Sequence, residues 1–291
     1  MTPRRTFLKQ SSLLAAGIAL APSMAFENFK SSKKVGLQLY SLREHLSLGL
    51  PTIVEKTTKL GYLELEPFGY RDGKYFGITP AEFKKILDAN GMASPSGHYE
   101  FNTYLSKSGT TDDVKPLLDA AKIMGHTHIV VPHMNESLRS SIDDYKRITE
   151  KLNEAALLCK SAGLKLTYHN HDFEFKDYNG QNGFDTMLSG TDKSMVDFEM
   201  DLYWVVRAGH NPVTLFNKYP GRFTYWHVKD MSKTDNTKNT EIGSGSIDYK
   251  TIFANGKKAG IKHYILEQEN FEMDPFESLA KSIGYIQNNL F

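Results

Sequence analysis

Four short stretches of this 291-residue chain place metal-binding or proton-transfer side chains two residues apart: His169 and His171, Glu199 and Asp201, His227 and Lys229, Glu267 and Glu269. Glu64, Glu66, His98 and His133 extend the set. In an extended strand, residues i and i+2 share a face, so each pair offers one polar group to a site and a second a layer above it. A lone strand-end histidine or glutamate has an ordinary explanation, in packing or in a solvated loop. Imidazoles and carboxylates at the ends of four successive strands are costly to bury unless they bind something. Mixed His and carboxylate ligands suit one divalent ion, with Mn²⁺, Zn²⁺, Co²⁺ or Fe²⁺ favoured over Ca²⁺ and over Mg²⁺.

The elements that must carry these residues alternate regularly. β-type apolar runs fall at 35–40, 62–68, 92–98, 128–132, 164–169, 195–201, 223–228 and 264–269, and helical patterns at 50–60, 80–90, 112–124, 141–162, 183–188, 212–218, 249–259 and 275–287. Gly61, Gly91, Gly125, Gly163 and Gly260 sit between a helical run and the next strand, where a left-handed cap is wanted. Eight such alternations predict an α/β fold, a single-domain (β/α)8 TIM barrel, with an interior packed by apolar side chains and its site at the C-terminal strand ends. A doubly wound sheet would want a glycine-rich turn after the first strand, and Tyr40-Ser41-Leu42-Arg43 has none.

Six segments carry a resemblance: 36–43 (GLQLYSLR), 60–66 (LGYLELE), 168–175 (YHNHDFEF), Asp201, 226–230 (WHVKD) and 266–269 (LEQE). In their order they resemble the sugar phosphate isomerase/epimerase family of xylose isomerase-like barrels. The resemblance implies four ligands from the fifth to eighth strands, which fall on His169, Asp201, His227 and Glu267. The family's usual first ligand is a glutamate, and its two glutamates exchange the substrate proton; with His169 in that place, a two-glutamate epimerisation loses one partner. The paired histidines are also similar to the inosose dehydratase branch.

The resemblance thus implies a metal-dependent isomerase or epimerase that removes a proton beside a sugar carbonyl through an enediolate. The alternatives are a dehydratase or lyase on a keto sugar or 3-keto-glycoside, and a non-catalytic periplasmic sugar-binding protein. Expected catalytic residues are Glu267 as ligand and base, Lys229 neutralising developing charge, and His171 and Glu66 in proton transfer. For Lys229 a surface salt bridge with Asp230 is the competing reading. Tyr40, His98, Glu174, Trp204 and Trp226 are expected around the substrate, Glu174 by orienting a histidine.

Composition narrows the partners. Lys plus Arg total 35 against 34 Asp plus Glu, which leaves no basic excess for nucleic acid and argues against a nuclease on the same barrel. Arg4-Arg5, Phe7-Leu8-Lys9, the apolar run 13–21 and the small-x-small site Ser23-Met24-Ala25 resemble a twin-arginine export signal. The run is shorter than the roughly 20 residues that span a bilayer, so cleavage near Ala25 is expected, with no membrane anchor afterwards. The expected organisation is a signal peptide at 1–25 handled by the export machinery and a barrel domain at 26–291, periplasmic or otherwise exported. Removing 1–25 takes away Arg4, Arg5 and Lys9 and no acidic residue, so the mature chain turns slightly acidic. The substrate is then expected to be a non-phosphorylated carbohydrate, with homo-oligomerisation left open. Cys159, the sole cysteine, excludes a disulfide scaffold.

Overall fold

The computed structural model describes residues 33–291; the expected signal peptide lies outside the described residues. In chain order the strands are β1 (Val35–Gln38), β2 (Glu64–Glu66), β3 (Tyr70–Arg71), β4 (Lys74–Tyr75), β5 (Ser96–His98), β6 (His128–Val131), β7 (Lys165–His169), β8 (Val196–Asp201), β9 (Tyr225–Val228), β10 (Asp230–Met231), β11 (Asn239–Thr240) and β12 (His263–Leu266). Eight of them form one parallel sheet in the order β2-β1-β12-β9-β8-β7-β6-β5, while β3-β4 and β10-β11 are small antiparallel pairs. Hydrogen bonds from Leu65 N to Ala93 O (2.8 Å) and from His98 N to Pro67 O (2.8 Å) join β2 to the β5 segment and close the barrel.

The helices between strands (Leu50–Lys59, Pro80–Ala89, Lys115–Met124, Ile142–Ser161, Gly183–Gly190, Pro212–Lys218, Tyr249–Ala254 and Pro275–Asn289) lie where the periodicity puts them. Gly125 and Gly260 end their helices at φ 76° and 86°, the left-handed caps their positions require. Three boundaries differ from expectation. Leu39 and Tyr40 belong to a 3₁₀ helix, Leu39–Leu48, because the Gln38 side chain accepts the Tyr40 amide at 3.1 Å and ends the strand. The third barrel strand starts only at Ser96, after Pro95, which cannot donate to a ladder. The helix expected over 249–259 breaks at Asn255.

The expected apolar barrel interior is not what forms. Alternation sends Leu166, Tyr168, Phe198, Met200, Trp226, Tyr264 and Leu266 outward, where they are buried beneath the helices. The inward rows are largely polar. At the N-terminal end His263 Nδ1 pairs with Glu64 Oε2 (2.9 Å), Lys165 Nζ with Asp197 Oδ1 (2.7 Å), and Thr224 Oγ1 donates to Asp197 Oδ2 (2.9 Å). Glu64, expected at the site end, therefore belongs to the opposite end of the barrel. Charges buried in this way are tolerated because each has a partner.

His126 sits outside these charged rows, buried against the Ser94 hydroxyl (3.0 Å) and the Tyr99 hydroxyl (3.2 Å). Burial drives its pKa down to about 3, against a weaker opposing pull from Glu66. The unfolded chain takes up this proton near pH 6.5, the folded chain far lower, so the stability His126 contributes is complete above pH 6.5 and is lost as the pH falls towards 3. Urea unfolding at pH 7, 6, 5 and 4 should give His126→Gln a shallower acid slope than the parent by about 1.4 kcal/mol per pH unit. Equal slopes would remove His126 from the acid limb. Cys159 is fully buried in the Ile142–Ser161 helix, and burial pushes its thiol up to about 12, which leaves it unreactive at neutral pH.

Candidate metal centre

At the C-terminal end of the barrel the inward rows converge. The donor atoms of Asp201, His227 and Glu267 all lie within 4.8 Å of one another. His227 Nδ1 is 3.1 Å from Glu267 Oε2, and His169 Nε2 is 3.9 Å from Asp201 Oδ2. Ligand distances of about 2.0–2.2 Å put neighbouring donors on one ion about 3–4 Å apart, so these separations fit a shared ion. Asp201 is split between two tasks. Its Oδ1 caps the Leu202–Arg207 helix by accepting Tyr203 N (2.9 Å) and Trp204 N (3.2 Å), and its buried Oδ2 accepts no hydrogen bond. A buried carboxylate oxygen with no hydrogen bond, met by the Lys229 ammonium at 3.2 Å and lying beside two imidazoles and a second carboxylate, belongs to the kind of donor set a borderline divalent ion takes.

Two further carboxylates set the imidazoles. Glu66 Oε2 faces His227 Nε2 at 2.8 Å and His98 Nε2 at 3.1 Å, and is fixed by Gln38 Nε2 (2.8 Å), while its Oε1 accepts Ser96 Oγ (2.5 Å). Glu199 Oε2 faces His98 Nε2 (2.9 Å), His169 Nδ1 (3.0 Å) and His227 Nε2 (3.2 Å). With Nδ1 of His169 donating to Glu199, its Nε2 lone pair is left for the centre, the usual way an outer carboxylate selects a tautomer, while carboxylates on both sides keep His227 protonated, so its Nδ1 would exchange the proton it shares with Glu267 for an ion. His98, His169, Glu199 and His227 also form a second cluster of close donors; the Glu199 oxygen already fills the space between its imidazoles.

The charges are tightly balanced. Lys229 is fully buried, with Nζ 2.6 Å from Glu267 Oε2, 2.6 Å from Glu269 Oε1 and 3.2 Å from Asp201 Oδ2. Burial disfavours its charge, but Asp201 and Glu267 outweigh that and hold its pKa well above the ordinary lysine range. Burial likewise opposes ionisation of Glu267, and Lys229 with His227 reverses it, so Glu267 is ionised at neutral pH. Burial and then Glu66 push Glu199 up to about 7. Burial, reinforced by Lys229, keeps His171 neutral, and its Nδ1 has no partner.

A cavity of about 780 Å³ opens over this floor, lined by His98, His169, Lys229 and Glu267 below and by His133, His171 and Trp204 on one side. His171 stacks on Phe173 (5.2 Å between centroids, 7°) and leans on Trp204 (5.4 Å). Tyr40 lines the outer part. The centre thus brings together His169, Asp201, His227, Glu267, Lys229 and His171, with His98, Tyr40 and Trp204 at the cavity.

Three expected residues are elsewhere, and one competing reading falls. Trp226 is fully buried outside the barrel, stacked on Phe216 (5.2 Å, 7°), because it neighbours the inward-facing His227 and so must face out. Glu174 does not reach the cavity; it accepts Tyr168 OH (2.6 Å) and the His171 amide (2.8 Å), and so holds the loop rather than an imidazole ring. Glu66 lies beneath the floor and touches no cavity space, which makes it a positioning residue. Asp230 makes no pair with Lys229: its carboxylate accepts the amides of Met231, Gly243, Gly245 and Ile247. Sequence reasoning left Gln38 and Ser96 unassigned, although each shares a strand face with residues of the site.

A parallel barrel with a His/carboxylate group at its C-terminal mouth is a TIM barrel whose residues could hold a divalent ion there. The chain belongs to the xylose isomerase-like TIM barrel family, whose model matches residues 54–289. A sugar phosphate isomerase/epimerase from Parabacteroides distasonis is 29% identical, with a TM-score of 0.77 over 93% of this chain and 99% of that one. The inosose dehydratase of Clostridium beijerinckii is 26% identical across 80% of this chain and 90% of its own. That of Lacticaseibacillus casei is 22% identical, across 80% and 87%. One of these relatives thus bears the name of a sugar phosphate isomerase/epimerase and two that of an inosose dehydratase.

Proposed function

We propose that this protein is a divalent-metal-dependent enzyme that removes a proton from the carbon next to a carbonyl of a non-phosphorylated sugar, and returns it as an isomerase or epimerase. The observation that carries the reading is the grouping of Asp201, His227 and Glu267 donors, with His169 Nε2 3.9 Å from Asp201 Oδ2, under an open cavity. A bound ion would supply a Lewis acid for the negative charge that develops on the sugar oxygens. Glu267, ionised at the cavity floor, accepts the proton. Lys229 supplies a fixed positive charge beside it, Glu267 once protonated returns the proton, and His171, neutral and with no hydrogen bond at Nδ1, is placed on the side wall to hydrogen-bond the substrate. Trp204 closes that wall with an apolar face.

Elimination is the second reading. His169 stands where a second carboxylate base would be needed for a symmetric proton exchange, and the inosose dehydratase relatives bear a dehydratase's name. In this version Glu267 takes the proton and, now an acid, passes it to the departing hydroxyl or glycosidic oxygen of a keto sugar, with His171 hydrogen-bonded to that oxygen. The proposal includes export of the mature chain through segment 1–25, which rests on sequence alone.

One experiment separates the outcomes. Metal-loaded protein is incubated with keto and aldo sugars in deuterated water and followed by NMR. Deuterium entering a single carbon beside the carbonyl, with an isomeric product, is the expected result; loss of the proton from that carbon with an unsaturated product identifies the lyase. Absence of exchange with every sugar, alongside tight sugar binding to chelated protein, would leave a binding protein in place of an enzyme.

A further inference from the structure

The cavity is larger than the one sugar ring that the metal centre would engage. Its volume of about 780 Å³ lies in the range of sites that enclose drug-sized ligands, roughly 300–1,000 Å³, yet the polar chemistry is concentrated at its floor and one side. The outer wall is aromatic. Tyr40 meets Phe68 edge-on (5.0 Å between centroids, 79°), and Phe68 meets Phe76 in the same way (5.1 Å, 64°). All three line the cavity, and Tyr40 and Phe76 remain 37% and 39% exposed. Single exposed aromatics need no explanation, but a contiguous row along the mouth of a cavity marks a contact surface.

The backbone is shaped to keep Phe76 in this row. Phe76 adopts φ 49°, an uncommon conformation for a bulky residue and one that costs energy unless its surroundings impose it. Gly69 approaches the Phe76 ring so closely that a Cβ at 69 would lie 2.9 Å from Cε1. The β3-β4 hairpin between them is anchored by Tyr75, which is fully buried and donates to the Tyr99 hydroxyl at 2.7 Å.

We infer that Tyr40, Phe68 and Phe76 form a second subsite, which holds the group attached to the glycosidic oxygen of the substrate through an apolar ring face. The inference rests on the carbohydrate reading above and adds that the sugar arrives as a glycoside, whose reacting carbonyl is then a ring ketone because its anomeric carbon is locked as an acetal. Aromatic rings offer π-faces to an aryl aglycone and C–H contacts to a second pyranose, so both sources share the chemistry. Arg71, Asp72 and Lys74 line the same cavity and are exposed, within reach of polar groups on that substituent.

The test is calorimetric titration of the metal-loaded protein with glucose, methyl β-glucoside, phenyl β-glucoside and cellobiose, in the parent, Phe76→Ala and Tyr40→Ala. The two variants alter different elements, so a folding failure in one leaves the other informative. Phenyl glucoside is expected to bind about tenfold tighter than methyl glucoside, with the ratio falling towards one in both variants. A preference for cellobiose that collapses in the same way supports the subsite and assigns it to a second sugar. Equal affinities in the parent, or a preference that survives both substitutions, overturns the inference. If no glycoside binds while free keto sugars still exchange deuterium, the subsite fails and the enzyme reading stands; if neither occurs, the enzyme reading fails with it.

Discussion

Glu267→Gln should lower kcat by about 10²–10⁴-fold, the contribution of a positioned general base, while leaving the barrel folded. Glu267 is the carboxylate that both lines the cavity and belongs to the Asp201–His227–Glu267 donor group. A glutamine keeps its shape but neither takes the proton nor balances Lys229, which still has Asp201 and Glu269 as partners. Rates of solvent-deuterium incorporation measure the loss, and circular dichroism with metal analysis reads the fold and the centre separately. If Glu267→Gln retained near-parental exchange, the proton would have to leave to another group, with His171 the next to substitute.

Lys229→Met is expected to have the largest effect on stability, and one that metal reverses. Lys229 is the ammonium among Asp201, Glu267 and Glu269, three carboxylates at a buried centre. Removing one member of a buried charge group typically costs 3–5 kcal/mol, because the remaining charges are left uncompensated. Urea unfolding of chelated protein should show a loss of about that size. A divalent ion would neutralise Asp201 and Glu267 directly, so Mn²⁺ or Zn²⁺ at about 1,000 times its Kd should restore about 4 kcal/mol. The variant should also bind the ion more tightly than the parent, because Lys229 no longer competes for the same two carboxylates. Equal destabilisation with and without metal would mean that Asp201 and Glu267 do not share an ion.

Much of this was legible in the chain. Helix-glycine-strand joints gave the barrel because a left-handed cap followed by an apolar run has few other uses. The i, i+2 spacing picked out the polar strand ends because strand alternation is strict, the family resemblance implied which of them are ligands, and the same alternation, applied one residue further, would have placed Trp226 on the outside. Other features were hidden for physical reasons. Glu66 and Glu174 look alike in sequence, as buried glutamates near strand ends, and only the fold shows that one steadies His227 while the other ties down the loop at His171. The Lys229–Asp230 pairing was plausible by proximity, but neighbours in a strand face opposite ways. The β3-β4 hairpin was invisible because its strands are two residues long, too short to carry any periodicity.

The polar rows inside the barrel bear on how the chain reaches its fold. Sliding a strand by one residue exchanges its two faces. For β8 such a slip would turn Asp197, Glu199 and Asp201 into the apolar layer under the helices and bring Phe198 and Met200 among the charges. In an ordinary barrel, apolar on both faces, the same error would cost little. Here a one-residue slip would place carboxylates in the apolar layer, a cost that disfavours that pairing. The residues that assemble the centre also proofread the alignment of the strands that carry them.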